Sequence, residues 1–422
     1  MFYPGVIVGD SNFASHTRGI QLPANTVVPD YADGGLFGLI GSIARFLDGA
    51  QWRFEGVNDD AEFDSHSDFD SGAHTDPCSA VVVFLLIDGL GDNFLQTYGE
   101  GSALLARRRR RITSVFPSTT ASAVTTTLTG IAPASHGLTG WFIRDERFGG
   151  VLAPLPMTMR AGGRLGGLFS LRRLFPYDTL FQNRSRPSVL VSPHYIAWSP
   201  FSQRHSRGAA VLAYDGVDGM LEAVLAAVAR SKASGGGYVH AYYPEFDALS
   251  HEFGSRSTEA ISEFWRIDAM FAQLCERLAG RGVDVVVSAD HGFIDSPEER
   301  FVRLDAFPEA LAMLAEPLWG ERRAAFCELR EGAEADFGGF VRDVLADKAV
   351  LVRSADLVEQ GFFGPGVHHP RLRERTGSHT LLMEPGWTIW DPRPDEPLHT
   401  MLGVHGGLTP DEMWVPLIHV RC

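Results

Sequence analysis

The chain has 422 residues, 45% hydrophobic and 21% charged, with a formal net charge of −15. That is globular composition, long enough for a large core without disulfide support, and the four cysteines, Cys78, Cys275, Cys327 and Cys422, form no CxxC pair that would indicate a zinc knuckle or disulfide framework. The acidic balance argues against general binding to nucleic-acid polymers or anionic membranes, but not against a small anionic substrate, because bound cations reverse the field of a site.

The first residues, MFYPGVIVGDSNFASHTRG, lack the basic segment and apolar run of a signal peptide. The longest apolar run, Ala80–Ile87, is too short to cross a bilayer. Both observations lead to the expectation of a cytoplasmic protein with no membrane span. Residues 1–78 read as an extension before the first strong strand. Within it, Gly35–Leu47 has helical apolar spacing, whereas Asn58–Pro77 is acidic, Ser/Gly-rich and reads as a mobile loop, its Asp and His content being that of a solvated linker.

Apolar, β-rich runs then recur with helical stretches between them. AVVVFLLIDG begins the series; Ser188–Pro193, Tyr238–Tyr243 and Val283–Gly292 follow, and Met413–Val420 closes it. This alternation predicts an α/β fold: a mainly parallel central sheet with helices on both faces, and a site at the carboxyl ends of the strands. A modest inserted or cap region is expected over Trp141–Pro187. Arg107–Arg111 reads as a solvated basic face at a helix end rather than a phosphate-binding patch.

Two strands end in an aspartate: Asp88 after FLLI, and Asp290 after VVVSA with His291 next to it. A carboxylate following a buried run is costly unless it is paired or bound to a cation. Asp247 and His251 are four apart and share one face if helical. Alone they are read equally well as a surface ion pair or as half of a zinc or manganese site. His405 precedes two glycines, and GGLTPDEM has the form of a helix cap. FPSTTASAVTTTLTG fits a helix N-terminus, where free amides favour an anion, but its run of threonines is poor helix-forming sequence that tertiary packing must support. Together these Asp and His residues and a hydroxyl match the inventory of a two-metal phosphoryl-transfer site.

In this order the segments LLIDGLG, FPSTTASAVTTTLTGIAPASHGLTG, YPEFDALSHEFG, VSADHG and VHGG resemble the alkaline phosphatase superfamily, most closely its nucleotide pyrophosphatase/phosphodiesterase branch. The resemblance spans Leu85–Gly407 and implies that residues 79–422 form an alkaline-phosphatase-like catalytic domain. It implies one metal site from Asp247, His251 and His405, and a second from Asp88, Thr120, Asp290 and His291. Two divalent cations are expected, zinc with manganese as the alternative, together with a small phosphorylated substrate. The family nucleophile lies ten residues before the glycine of a TG pair, which here is Gly130 and singles out Thr120, leaving Ser118 and Thr119 to capping and packing. The implied activity is a phosphodiesterase or nucleotide pyrophosphatase working through phosphothreonine. The alternatives are a phosphomonoesterase or phosphonate hydrolase on the same core, then a mutase, then a non-catalytic binding protein.

The chain departs from the pattern at Ala123, where relatives are expected to carry a phosphate-binding asparagine. Asn93 and the helix amides are the candidate substitutes. His136 and His379 are read as packing and strand residues. Trp141, Phe142 and Phe148 are read first as core, second as walls of a leaving-group pocket.

Overall fold

A computed structural model describes residues 16–17, 19–52, 80–167, 169–393 and 401–422. The expected loop over Asn58–Pro77 lies outside them.

The central sheet has seven strands. We number them β1 (Val81–Ile87), β2 (Arg108–Thr113), β3 (Ser188–Pro193), β4 (Ala209–Tyr214), β5 (Gly237–Tyr243), β6 (Val283–Ser288) and β7 (Trp414–Arg421). Their order across the sheet is β2-β7-β6-β1-β5-β3-β4. β6, β1, β5, β3 and β4 are mutually parallel, and β7 is antiparallel to both β6 and β2. All seven residues of β1 are buried, which is why it reads as a continuous apolar run rather than an alternating one.

Five helices matter to the site and its support: α1 (Leu36–Leu47), α2 (Thr120–Thr129), α3 (Gly216–Ala233), α4 (Glu245–Phe253) and α5 (Thr258–Leu278). The apolar faces of α1, α3 and α5 join one core with the sheet, through Ile40 and Phe46, Val224 and Val228, and Phe264 and Phe271. α5 starts where Ser257 accepts a hydrogen bond from the amide of Ala260.

The threonine-rich α2 is helical because it is enclosed: every residue from Ala121 to Thr129 is buried. Several of its hydroxyls are satisfied within the helix, Thr126 donating to the Ser122 carbonyl, Thr127 to that of Val124 and Thr129 to that of Thr125. Packing thus overrides poor propensity.

One sequence reading needs correction. The arginine run is the edge strand β2, not the end of a helix alone, and it is not simply solvated: Arg108 holds the buried Asp92 through two contacts of 2.5 and 2.8 Å, and Arg111 stacks 4.3 Å above Trp414. The expected modest insertion carries a three-stranded sheet of Ile143–Asp145, Gly150–Ala153 and Thr158–Met159 and the short helix Ser170–Leu174. A larger insertion separates β6 from β7. It carries an antiparallel four-stranded sheet of Trp319–Gly320, Ala324–Cys327, His379–Met383 and Ala349–Arg353, with its own apolar cluster around Leu318, Phe337, Leu381 and Ile389.

Candidate active site

β1 and β6 are adjacent and in register, Leu86 facing Ser288. The residues following them, Asp88 and Asp290, therefore emerge side by side at the carboxyl edge of the sheet. β5 flanks β1 on the other side and runs through Pro244 into α4, where Asp247 and His251 are one helical turn apart. Thr120 is the first residue of α2. His405 arrives on the return from the large insertion towards β7.

All seven residues singled out in the sequence meet here. His291 Nε2 lies 3.2 Å from Thr120 Oγ1, 3.3 Å from Asp88 Oδ1, 3.4 Å from Asp290 Oδ2 and 3.9 Å from Asp247 Oδ1. His251 Nε2 is 3.5 Å from Asp247 Oδ1, and His405 Nε2 is 3.8 Å from the same oxygen. Donor atoms of Asp88, Asp290 and His291 lie within 4.8 Å of one another, and so do those of Asp247, His291 and His405.

The supporting bonds aim the free atoms inward. Asp290 Oδ1 accepts from the amides of Gly89 and His291, so Oδ2 is left to face the cluster. Each of the three histidines uses Nδ1 on a backbone carbonyl: His251 on Gly403, His291 on Gly292 and His405 on Ser118. A carbonyl only accepts, so Nδ1 carries the proton and Nε2 offers a lone pair, the arrangement of a metal-ligating imidazole. Asp88 Oδ1, Asp247 Oδ1 and Asp290 Oδ2 are buried and have no hydrogen-bond partner among the described residues. Three orphaned carboxylate oxygens and three directed imidazole nitrogens form the donor set of a hard-to-borderline divalent cation.

The electrostatics agree. Burial, and then the neighbouring Asp290 and Asp247, push the Asp88 carboxyl well above its usual range; burial also raises Asp247. Burial, and then His291 and His251, hold His405 well below the usual imidazole range. Such a concentration of anionic groups is stable in its charged form only with cations present.

A cleft of about 270 Å³ opens over Thr120, Asp247, His251 and His405. Its opposite wall is Trp141, Phe142, Glu321, Arg322 and Trp390. Trp141 is 42% exposed, and Phe142 stacks on Trp390 at 5.6 Å between centroids. Trp141 is thus a pocket wall, Phe142 both lines the pocket and packs against the two smaller apolar clusters, and Phe148 packs against the main core as expected.

Other expectations resolve as follows. Ala123 is fully buried in the main core and does not line the cleft over Thr120. Asn93 donates to Asp411 at 2.6 Å and lines a different cleft, which leaves the helix amides of the two substitutes considered. Thr119 sits at the N-cap of α2 but its side chain does not cap the helix. Ser118 donates to the Gly407 carbonyl at 2.7 Å. His136 is buried against Thr126 and Leu138, and His379 opens a strand.

Sequence reasoning missed two residues. Tyr242, next to last in β5, donates its phenol hydrogen to Asp88 Oδ2. Glu321 comes from the large insertion; burial pushes its carboxyl up to about 7. The alternation of β5 could have placed Tyr242 at the carboxyl edge, but nothing local to WGERR points to the cleft.

Residues 82–154 and 172–408 match the type I phosphodiesterase / nucleotide pyrophosphatase family. No curated protein sequence matches the chain. Among solved structures, murine ectonucleotide pyrophosphatase / phosphodiesterase 5 is similar with a TM-score of 0.59 at 16% identity, over 80% of this chain and 87% of that one. An inactive threonine-to-alanine form of the murine protein, in complex with AMP, has a TM-score of 0.60 at 15% identity, over 80% and 87% of the two chains. Phosphonoacetate hydrolase from Sinorhizobium meliloti 1021, with phosphonoformate, has a TM-score of 0.58 at 16% identity, over 81% and 90%. No helix among the described residues is long and apolar enough to cross a membrane.

Proposed function

The chain belongs to the type I phosphodiesterase / nucleotide pyrophosphatase family of phosphoric-ester hydrolases, and on that premise we propose that it cleaves a small phosphodiester or nucleotide pyrophosphate with Thr120 as nucleophile, at a site for two divalent cations. The observation that carries this reading is the convergence of three unpartnered carboxylate oxygens and three Nε2 lone pairs around the Thr120 hydroxyl. Asp247, His251 and His405 would hold one cation; Asp88, Asp290, His291 and the Thr120 oxygen would hold the other. Zinc suits this nitrogen-and-oxygen donor set, and manganese is the alternative. When bound, such cations lower the pKa of a coordinated hydroxyl or water and offset charge on phosphoryl oxygens.

The Thr120 hydroxyl gives up its proton to solvent and its oxygen bonds to phosphorus as the bond to the leaving oxygen breaks. Water then cleaves the phosphothreonine ester and restores the hydroxyl. The free amides at the start of α2 donate to the equatorial oxygens. Trp141, Phe142 and Trp390 offer apolar surface to the leaving group. The murine neighbour that is inactive as a threonine-to-alanine form and binds AMP supports a threonine nucleophile and a nucleotide substrate. The likeness to phosphonoacetate hydrolase keeps a phosphonate substrate as the second reading.

The test is Thr120→Ala assayed on bis(4-nitrophenyl) phosphate, with bound metal measured by elemental analysis. Turnover should vanish with the fold and most of the metal retained; near-normal turnover overturns the assignment. A panel of diesters, dinucleotides, monoesters and phosphonoacetate, each with zinc and with manganese, ranks the substrates. A preference for phosphonoacetate would favour the second reading.

A further inference from the structure

Thr119 is the N-cap residue of α2, with extended backbone at φ −144° and ψ 149°. A threonine in that place ordinarily turns its oxygen onto the second or third amide of the helix. Here the Thr119 side chain does not cap α2; its hydroxyl instead donates to Glu321 Oε1 at 2.6 Å. The first bond into the helix runs from the amide of Ala123 to the Thr119 carbonyl. The amides of Thr120, Ala121 and Ser122 have no hydrogen-bond partner among the described residues.

Glu321 is itself held in place. Its Oε1 also accepts from the Trp141 amide at 2.6 Å, and its side chain packs against Gly406, where an added Cβ would lie 2.6 Å from Glu321 Cβ and Cγ. It follows the short strand Trp319–Gly320 of the inserted sheet and is 202 residues from Thr119 in sequence. One carboxylate therefore joins the insertion, the aromatic wall and the entrance of α2.

We propose that Glu321 is a positioning residue that keeps the α2 amides open for the substrate. By taking the Thr119 hydroxyl it prevents that oxygen from capping the helix. The amides of Thr120, Ala121 and Ser122 are then left to donate to the phosphoryl group. The inference rests on the reading of Thr120 as the site of phosphoryl transfer. It assigns the insertion a part in that step beyond supplying a pocket wall.

The experiment is a double-mutant cycle on the metal-loaded full chain, using Glu321→Ala, Thr119→Val and the pair, with Glu321→Gln beside them. The readouts are kcat and KM on bis(4-nitrophenyl) phosphate, orthophosphate binding by calorimetry, and metal content. Glu321→Ala frees the Thr119 hydroxyl to cap, so kcat and phosphate affinity should each fall by about tenfold or more, with metal content unchanged. Glu321→Gln should retain the larger part of both, because one amide oxygen can accept from Thr119 and from the Trp141 amide. Adding Thr119→Val to Glu321→Ala removes the competing hydroxyl and should recover most of the loss. A merely structural role predicts that the two losses accumulate. A double variant no better than Glu321→Ala, or phosphate affinity unchanged in Glu321→Ala, overturns the proposal. If Glu321→Ala does not fold, Glu321→Met fills the same volume without an acceptor and takes its place. Thr120→Ala is run in parallel: activity there defeats the nucleophile, whereas phosphate binding across the cycle still reports on Glu321.

Discussion

His251 and His405 face each other with their Nε2 atoms 3.1 Å apart. Both rings spend their Nδ1 hydrogen on a backbone carbonyl, so two lone pairs meet with no proton between them. Asp247 Oδ1 adds a third electron-rich atom to the same space. A cation shared by these atoms would offset the cost of holding them together, and metal content is then expected to affect stability as well as rate.

Chelation should therefore abolish turnover and also lower the melting temperature. A ligand that binds only the folded state stabilises it by RT ln(1 + [L]/Kd), about 4 kcal/mol at a thousandfold excess over Kd. Calorimetry with and without chelator, followed by zinc or manganese, checks this. A melting temperature indifferent to metal would count against cation binding at this cluster.

Tyr242→Phe removes the hydroxyl that orients Asp88 Oδ2 and leaves the ring in place. Bonds that orient a ligand typically contribute about 10–100-fold in metal affinity. The expected result is that loss at one of two sites, read by competition with a metal-sensitive dye. Unaltered affinity would restrict Tyr242 to packing.

Trp141→Ala strips exposed apolar surface from the cleft without touching the ligands. KM for an aryl diester should rise by about tenfold with kcat little changed, the signature of binding shared by ground and transition states. A fall in kcat at constant KM would mean that Trp141 acts on the reacting centre instead.

Arg323 and Glu412 form a fully buried pair, with Arg323 Nη2 at 2.9 Å from Glu412 Oε2. Arg323 also reaches the carbonyls of Glu384 and Trp387, while Glu412 accepts from the Gly407 amide and from the Thr409 hydroxyl. The pair thus fastens the insertion to the loop that carries His405. Arg323→Ala strands a buried carboxylate and should cost about 3–5 kcal/mol in urea unfolding. A cost below about 1 kcal/mol would show that water or rearrangement satisfies Glu412.

The buried histidines should destabilise the protein from near neutrality downward, opposed by the raised carboxyls of Glu321 and Asp88, which bind a proton first in the folded state. Burial holds His205, His240 and His369 at about 3. Above the unfolded imidazole value of about 6.5 the two states bind these protons equally. Below it the unfolded chain takes them up while the folded chain resists, so stability falls with pH until about 3. Each histidine contributes a slope of about 1.4 kcal/mol per pH unit within that window. Urea midpoints at pH 7.5, 6.5 and 5.5 should be level across the first step and drop across the second. A profile that is flat to pH 5 would contradict the buried neutral state.

Continuous apolar runs made the buried parallel strands legible in the sequence, strand-end aspartates marked their carboxyl edge, and spacing put Asp247 and His251 on one helix face. Thr120 and His405 were singled out by the resemblance to a family, since neither carries a local mark of its own. The α2 entrance was equally legible, because proline, hydroxyls and small residues followed by Gly130 define a helix start and stop.

Tertiary structure alone decided what surrounds those positions. The burial of Ala123 in the main core follows from how α2 packs, which its own threonines do not specify. The arginine run became the edge strand β2 because β7 offered it a partner. Glu321 reaches Thr119, and Arg323 reaches Glu412, only once the insertion between β6 and β7 folds back over the sheet edge. Periodicity and capping act within a few residues. Contacts across hundreds of residues depend on register and packing, and a single sequence carries no local mark of them.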